Sequence, residues 1–429
     1  MTDLRAEARR LFDAAVKAAD PRLALRAGFA ENPPPRAVNN GSYIVVSVGK
    51  AAIPMAEEAL AFLAEIDASR PVEAIVVTNY ENARDLPGAR TFASGHPVPD
   101  ENGLRAGQAV MALLDRAGAD DSVIALISGG GSALLPSPVE GVSLADKAAV
   151  NRLLLAHGFE ISEINLIRQQ LSQLKGGGML RHAAPARVSA YILSDVIGDD
   201  LRAIASGPTV APIGTAADAV RLLQGKGIWE DLPSSVRRHL TREVAAQPPL
   251  PAARNLLVGS NRKSIEAIVK NSIFKDTQVG SDHLTGDVAE ACELILEKAA
   301  AAATSAASNR PLCLVFDGET TVTLRGTGLG GRNQELALRM ALAAPGRLDR
   351  PFTFLSGGTD GRDGPTEAAG GLVDNGSAAR MRATGVDPEA LLANNDSNAA
   401  LAASGDLLTC GATGTNVADV QILLLGAKA

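Results

Sequence analysis

The chain is poor in the residues that build disulfide frameworks, zinc sites and base-stacking surfaces. Its 429 residues include three widely separated cysteines, and aromatic residues make up 3%. It has no CxxC pair, no Cys/His spacing typical of zinc and no HExxH. These absences disfavour a disulfide scaffold and the common zinc sites, and they favour a reducing cytoplasm. Few side chains are available on which nucleic-acid bases could stack.

A basic excess and a long apolar run are also missing. The net charge is −7, which disfavours nucleic-acid and anionic-membrane partners because both require a basic face. No apolar run reaches the roughly 20 residues that span a bilayer. The first ten residues are charged and lack an apolar core, so we expect no signal peptide.

Strand and helix patterns alternate along the chain, which predicts an α/β fold. The length favours more than one domain. We predict a parallel-sheet, Rossmann-like domain over residues 1–247 and a smaller mixed α/β domain over 254–429, with the proline-rich segment 248–253 near the boundary. Glycine-rich loops follow predicted strands in both halves. We therefore expect the functional site in a cleft between the domains.

The segment 321–340 is the most distinctive stretch. A predicted strand, 321–324, runs into a loop containing Gly326, Gly328, Gly330 and Gly331, and a helix follows. Glycine loops at helix N-termini suit anions. Arg332 opposes the helix dipole there unless it faces a phosphate or carboxylate.

Two other interpretations of this segment are possible. It could be a tight turn with a solvated arginine. The glycines also fit Gly-x-Gly-x-x-Gly, which would indicate a dinucleotide site. However, the ribose-binding acid would then be near Asp349, before the next predicted strand and not at its end.

Further candidates follow the buried strands of the first half. Lys50 follows strand 43–48, and the edge where parallel strands end is where ligands bind. Ser128, Gly129, Gly130, Gly131 and Ser132 follow strand 122–127 and form a second potential anion loop. We favour a phosphate contact for Lys50 over the alternative of a surface lysine, and the nucleophilic Gly-x-Ser-x-Gly pattern is absent.

Three more polar positions are candidates. His96, in a loop with two prolines, is either a ligand contact or a loop hydrogen-bonding group. Arg168 and Lys175 lie seven residues apart on a predicted helix, 162–175, and would either reach a phosphate or face solvent. Asp195, after a fourth strand, is suited to magnesium, which takes one or two carboxylates plus phosphates and water.

Together these loops resemble the glycerate 2-kinase family, whose members combine a Rossmann-like domain with a MOFRL domain. One departure is Gln170, where a histidine is expected, and another is Phe316-Asp317, where small residues are more usual. The matching segments are SVGKAA (47–52), SGHPVPDENG (94–103), LISGGGSALL (126–135), LSQLKGGGML (171–180), SDVIGDDLRAIASGPT (194–209), DGETTVTLRGTGLGGRNQE (317–335), GGTDGRDGPTEAAGG (357–371), LANNDS (392–397) and GATGTNVAD (411–419).

The resemblance implies transfer of the ATP γ-phosphate to the C2 hydroxyl of D-glycerate with a divalent metal, and it makes Lys50 and Arg332 central. We expect Mg²⁺ to be bound by Asp195, Glu319 or Asp360, and Asp360 or Asp195 to accept the hydroxyl proton. The 128–132 loop would hold either the glycerate carboxylate or an ADP phosphate. The remaining candidates for binding nucleotide, phosphate or substrate are His96, Lys175, Glu319, Gly328, Gly330, Gly331 and Asn333.

Two other functions remain as alternatives. Family members are sometimes called hydroxypyruvate reductases, which would require NAD(P)H and no ATP. A binding protein without turnover is the other possibility. The expected partners are small molecules, and the protein is expected to be a monomer or a homodimer.

Overall fold

The computed structural model describes residues 3–243, 248–281, 283–303 and 310–428. The helices are α1 Leu4–Ala18, α2 Pro21–Glu31, α3 Ala52–Asp67, α4 Glu101–Leu114, α5 Gly131–Leu134, α6 Leu144–Ala156, α7 Ile161–Gln170, α8 Gly178–Ala183, α9 Ala216–Gly225, α10 Ser234–Leu240, α11 Asn261–Asn271, α12 Val288–Ala303, α13 Arg332–Ala343, α14 Ser377–Ala383, α15 Pro388–Ala393 and α16 Ser397–Ser404. The strands are β1 Tyr43–Val48, β2 Val72–Asn79, β3 Arg90–Ser94, β4 Ser122–Ile127, β5 Arg187–Leu193, β6 Ala253–Gly259, β7 Asp276–Ser281, β8 Gly286–Asp287, β9 Leu312–Gly318, β10 Thr320–Thr321, β11 Phe352–Gly358, β12 Gly370–Asp374, β13 Leu407–Leu408 and β14 Asp419–Leu425.

The chain forms two compact units. The amino-terminal unit spans residues 24–258, and the carboxy-terminal unit combines the residues before 24 with those after 258. The predicted bounds, 1–247 and 254–429, differ from this division in two respects. The amino-terminal unit begins at residue 24 and not at residue 1, and it extends to residue 258 and not to residue 247. Helix α1 belongs to the carboxy-terminal unit, and β6 lies in the amino-terminal sheet. The predicted end at residue 247 lies outside the described residues, as do residues 1 and 429.

The amino-terminal unit is built on a six-stranded sheet with the order β3-β2-β1-β4-β5-β6. Strand β1 pairs in parallel with β2 and β4, in a register that places Val48 opposite Val77 and Ile127. This is the strand order of Rossmann folds, which bind ligands at the carboxyl edge where the order reverses. The α/β prediction for this half is confirmed.

Strands β1 and β4 form the centre of that sheet because both are apolar on both faces. Every residue of β1 and of β4 is buried. Helices α4 and α8 cover the sheet through a shared core that includes Val110, Leu114 and Met179. Such continuous apolar strands are typical of parallel sheets covered on both sides.

The carboxy-terminal unit contains a mixed sheet with the order β13-β12-β11-β14-β9-β7. Strand β14 is antiparallel to both β11 and β9, whereas β7 and β9 are parallel. Leu423 and Leu425 pack with α12 and α13 on one face, and Ile422 and Leu424 pack with α1 and α11 on the other. The mixed α/β prediction for this half is confirmed.

Helix α1 fills one face of the carboxy-terminal sheet. Phe12 is fully buried and packs against residues from β11, β13 and β14. A Cβ built on Gly357 would lie 2.9 Å from the Phe12 ring, so the helix approaches β11 closely. The apolar face of α1 therefore explains why the first residues of the chain belong to this unit.

Two predicted elements are wrong. The predicted strand 321–324 is a strand only to Thr321, and residues 322–331 form a loop. The predicted helix 162–175 ends at Gln170, so Lys175 does not share a helix face with Arg168. At Gln173 the backbone N–H donates to Ser137 O at 2.9 Å, which takes this part of the chain out of the helical path.

Within the described residues, no helix combines the length and apolar character needed to cross a bilayer. This agrees with the absence of a long apolar run in the sequence.

We predict that Phe12→Ala destabilises the carboxy-terminal unit. Truncating a buried phenylalanine typically costs ~3–5 kcal/mol because a cavity remains. Hydrogen exchange should accelerate in β11 and β14 and stay unchanged in β1 and β4. Leu23→Ala, at a side chain that is 51% exposed, is the matched control. Equal acceleration in both sheets, or none, would contradict the assignment of α1 to this unit.

Candidate functional site

Lys50 lies at the carboxyl edge of the amino-terminal sheet. Its backbone N–H donates to Gly129 O at 2.9 Å. The next amide, of Ala51, donates to Ser128 Oγ at 3.1 Å. Gly49 has φ of +127°, a value that favours glycine. The turn after β1 is therefore fixed against the loop after β4, and the backbone of Lys50 lies beside the predicted 128–132 loop.

The glycines of that loop allow other polar side chains to approach. A Cβ on Gly129 would lie 2.1 Å from Asp195 Oδ2. One on Gly130 would lie 3.2 Å from the His96 ring and 3.4 Å from Lys50 Cγ. The structure thus brings Lys50, His96 and Asp195 around this loop, three candidates that lie far apart in the sequence.

The charges at this edge are only partly balanced. Burial raises the pKa of Asp195, while a backbone hydrogen bond and Lys50 oppose that rise. Burial, followed by repulsion from Lys50, lowers the pKa of His96 and favours its neutral form. None of the described hydrogen bonds or ion pairs engages the Lys50 ammonium. Lys50 is therefore placed to meet an anion.

The two serine hydroxyls of the loop already have partners. Ser128 Oγ accepts from Ala51 N and lies 3.4 Å from Val48 O, to which it donates. Ser132 Oγ lies 2.8 Å from Ser206 Oγ. The Ser128 hydroxyl therefore already has both a donor and an acceptor within the protein.

The side chain of Lys175 is hydrogen-bonded to the backbone of this loop and of the residues that follow it. Its side chain is buried, and Nζ donates to Ser132 O at 2.8 Å and to Leu135 O at 3.0 Å. Burial, followed by repulsion from Lys147 and Arg168, lowers its pKa well below the ordinary value. Lys175 lines a cavity of about 340 Å³ together with Arg168 and His96.

Lys147 also lines that cavity and was missed in the sequence. It lies in α6, and its Nζ donates to Pro136 O at 2.6 Å and Leu171 O at 3.0 Å. Burial, followed by repulsion from Arg168, lowers its pKa to about 7. Nothing in the local sequence distinguishes it from a surface lysine, because its partners are backbone carbonyls remote in the chain.

Gln170, the departure from the family pattern, forms a local contact. Its side-chain amide donates to Gly214 O at 2.9 Å, and its backbone carbonyl oxygen lies 3.0 Å from His239 Nε2. Both contacts connect the end of α7 to neighbouring segments of the same unit. These contacts therefore indicate a structural role for Gln170.

In the carboxy-terminal unit, the glycine loop is held by the turn between α15 and α16. The amides of Arg325 and Gly326 donate to Asn395 Oδ1 at 2.6 and 3.0 Å. A Cβ on Gly328 would lie 2.4 Å from Asp396 Cβ, and one on Gly330 would lie 2.1 Å from Ser397 Oγ. The glycines permit this close packing, and amides predicted to bind an anion already have acceptors.

The N-terminus of α13 is also occupied by a side chain of the protein. Asp363 accepts from Asn333 N at 3.2 Å and from Gln334 N at 2.8 Å. A Cβ on Gly331 would lie 2.3 Å from its carboxyl carbon. Burial raises the pKa of Asp363 to about 6, against the lowering effect of these amide bonds. Asp363 thus takes the place expected for a ligand anion at this helix.

Arg332 is held by carboxylates of its own unit. Its Nε and Nη2 donate to Asp419 at 2.5 and 2.9 Å, and Nη1 lies 3.2 Å from Glu319 Oε1. Burial lowers the pKa of Arg332, but hydrogen bonding to buried Asp419 and attraction to Glu319 raise it overall. The arginine is therefore not simply solvated, and Asp419, at the start of β14, is a partner that sequence reasoning missed.

Asp360 is less constrained than these groups. Its Oδ1 accepts from Arg362 N at 3.0 Å, and its side chain is partly exposed. Among the described residues, no cluster of three or more acidic, histidine or cysteine side chains is arranged to hold a metal ion. Magnesium coordinated mainly by phosphates and water requires only one or two carboxylates. Glu319 and Asp360 fit such a limited role.

Family models match both halves of the chain. A domain family of unknown function, DUF4147, matches residues 7–241, and the MOFRL family matches residues 312–419.

Relatives and a solved structure match almost the whole chain. A D-glycerate 2-kinase from Thermotoga maritima is 40% identical over 394 residues, covering 90% of this chain and 92% of that protein. A protein from Agrobacterium vitis, provisionally named a hydroxypyruvate reductase, is 40% identical and covers 97% of this chain and 94% of its own. The crystal structure of a glycerate kinase from Thermotoga maritima superposes with a TM-score of 0.88 at 37% identity, covering 98% of this chain and 99% of that one.

We predict that Asp363 makes stability fall as the pH rises from about 4 to about 6. The unfolded carboxyl loses its proton near pH ~4, whereas the folded one keeps it to about pH 6. Over this window the folded state binds more protons, so the unfolding free energy should fall by about 2 kcal/mol between pH 4 and pH 6.

The measurement is denaturant unfolding at pH 4 and pH 6. In Asp363→Asn the side chain does not titrate, so the fall between the two values should be smaller by about that amount. Glu367→Gln, at an exposed position, is the control and should leave the fall unchanged. Identical pH dependence in Asp363→Asn and the unsubstituted protein would show that Asp363 is not the titrating group.

Proposed function

The chain belongs to the DUF4147 and MOFRL family that includes the D-glycerate 2-kinase of Thermotoga maritima, and we propose that it transfers the γ-phosphoryl group of ATP to the C2 hydroxyl of D-glycerate. The products are ADP and 2-phosphoglycerate. The observation that carries this proposal is the Lys50 ammonium. It forms no ion pair within the described part of the chain, and it stands at the ligand-binding edge of a Rossmann-type sheet.

Phosphoryl transfer needs charge neutralisation and alignment more than covalent assistance. Lys50 supplies positive charge to the transferring group. Arg332, oriented by the two-pronged contact with Asp419, is proposed to supply a second positive charge. A guanidinium fixed in this way loses little conformational entropy when it binds phosphate.

Asp195 is proposed to accept the proton of the glycerate hydroxyl. Burial raises its pKa, and a base whose pKa approaches the working pH is a better proton acceptor. Lys50 is close enough to stabilise the carboxylate that must be present before transfer.

Magnesium is proposed to accompany ATP, with Glu319 and Asp360 as its protein ligands. When bound, the ion shields phosphate charge. The metal role first considered for Asp195 gives way here to the proton-acceptor role, because a raised pKa improves a proton acceptor and brings no comparable advantage to a metal ligand.

Reduction of hydroxypyruvate is the second candidate, because the Agrobacterium vitis relative carries that provisional name. Its cofactor would require a glycine loop with free amides after a sheet strand. In the 326–331 loop, however, Gly326 and Thr327 donate to Asn395 and Asn394. The loop follows the two-residue strand β10, which forms a two-stranded sheet with β8 and, among the described residues, is not part of either six-stranded sheet. These contacts favour the kinase.

The deciding experiment incubates the full chain with ATP, Mg²⁺ and D-glycerate and identifies the product by phosphorus NMR. The kinase predicts 2-phosphoglycerate. Formation of 3-phosphoglycerate would overturn the C2 assignment. NADH oxidation with hydroxypyruvate, in the absence of ATP and of any phosphorylated product, would establish the reductase instead.

We predict that Lys50→Met and Arg332→Lys each reduce kcat, with Lys50→Met losing about 10³-fold, as when a phosphate-stabilising cation is removed. Arg332→Lys keeps the charge but loses the two-pronged geometry. Lys270→Met, at an exposed lysine, is the control. Near-normal kcat in both folded variants would refute the roles of Lys50 and Arg332.

We predict that Asp195 sets the acidic limb of the kcat/KM profile. Activity requires the carboxylate, so it should fall as the pH drops through the raised pKa of Asp195. The fall should therefore begin above the usual range for aspartate. Asp195→Asn should be slow and should lack this limb. A slow variant with the same acidic limb would exclude Asp195 as the proton acceptor.

A further inference from the structure

The cavity of the amino-terminal unit is lined by a cluster of basic side chains. Lys147, Arg168 and Lys175 all line its volume of about 340 Å³. Among the described residues around it, none is acidic, and none of the three cations forms an ion pair.

Hydrogen bonding within the protein leaves donor capacity on these cations. Each ammonium has three N–H groups, and the described contacts of Lys147 and Lys175 use two carbonyl acceptors apiece. Arg168 contacts the side-chain oxygen of Asn151, with its Nε at 3.1 Å. A guanidinium has five N–H groups, so Arg168 also keeps donors for a ligand.

Burying three cations together is costly without an anion. Burial lowers the pKa of Lys147, Arg168 and Lys175, and repulsion among the cations adds to the effect for both lysines. Arginine cannot relieve this cost by losing a proton. A bound polyanion would offset the repulsion and use the remaining donors.

The size and walls of the cavity favour a ligand larger than glycerate. At about 30 Å³ per water, its volume corresponds to roughly eleven water molecules, far more than a three-carbon acid requires. Val150, Leu154, Ile167 and Leu171 line it alongside the cations. Apolar walls with a few convergent polar groups are typical of small-molecule sites that bury most of an organic ligand.

One wall of the cavity is shared with the proposed reaction centre. Gly130 and His96 line the cavity, and a Cβ on Gly130 would lie 3.4 Å from Lys50 Cγ. If a ligand fills the cavity and extends past Gly130, the end of the ligand would therefore contact Lys50.

We propose that this cavity is the nucleotide site, with the base and ribose against the apolar wall and the phosphates against Lys147, Arg168 and Lys175. The terminal phosphate is directed past Gly130 towards Lys50. This assignment rests on the proposed kinase function and separates the two substrates, because glycerate then binds outside the cavity.

The test measures binding of ADP, and separately of tripolyphosphate, to the full chain by titration calorimetry, together with the KM for D-glycerate. Arg168→Met removes a cation whose described partner is one side chain. Ala148→Phe fills the cavity without changing its charge. Arg238→Met, at an exposed arginine outside the cavity, is the control.

Both cavity variants should weaken ADP binding about 10- to 100-fold, the range for losing a charged hydrogen bond, and leave the KM for glycerate unchanged. Arg168→Met should also weaken tripolyphosphate binding. Circular dichroism and unfolding midpoints confirm that each variant is folded, and Arg168→Lys should restore part of the affinity.

Unchanged ADP affinity in both folded variants, or a raised glycerate KM with normal ADP binding, would overturn the nucleotide assignment while leaving the kinase proposal intact. Absence of both ADP binding and glycerate phosphorylation in the unsubstituted protein would instead refute the proposed function itself.

Discussion

The pairing register of β1 with β4 is the constraint on which the amino-terminal site depends. Val48 opposite Ile127 makes the two strands end at the same level, so Lys50 and the 128–132 loop emerge side by side. The hydrogen bond from Lys50 N to Gly129 O fixes this relation. Slippage by one residue would exchange the two faces of a strand and separate the lysine from the loop.

Glycine has a different purpose in each unit. In the amino-terminal unit, Gly129 and Gly130 leave room for Asp195, His96 and Lys50 to converge. In the carboxy-terminal unit, Gly328 and Gly331 let the backbone pack on Asp396 and Asp363. Glycine in the 128–132 loop thus leaves space for functional side chains. Glycine in the 326–331 loop instead allows the backbone to pack tightly against side chains of its own unit.

The sequence predicts what depends on local pattern and fails where remote contacts decide. The sequence predicts strands 43–48 and 122–127 to the residue because each is a nearly continuous apolar run. The predicted strand 321–324 failed because Asn395 captures the amides of Arg325 and Gly326. Neither the placement of α1 nor the cavity position of Lys147 leaves a local signal, since their partners are far away in the chain. The sequence indicates Lys50 because strand ends in parallel sheets are predictable. Only the structure shows that Lys50 forms no ion pair with the residues it describes.

The two units contrast in their charges, and this contrast indicates how the chemistry is divided. Around the amino-terminal cavity, the basic side chains form no ion pair with any acidic residue that the structure describes, which suits a polyanion. In the carboxy-terminal unit, Arg332 is matched by Asp419 and Glu319, so its charge is largely compensated before a ligand binds. An arginine balanced in this way contributes little to attracting phosphate from solution. Its rigid orientation instead suits stabilisation of charge that develops during transfer, because only interactions stronger in the transition state than in the ground state raise kcat.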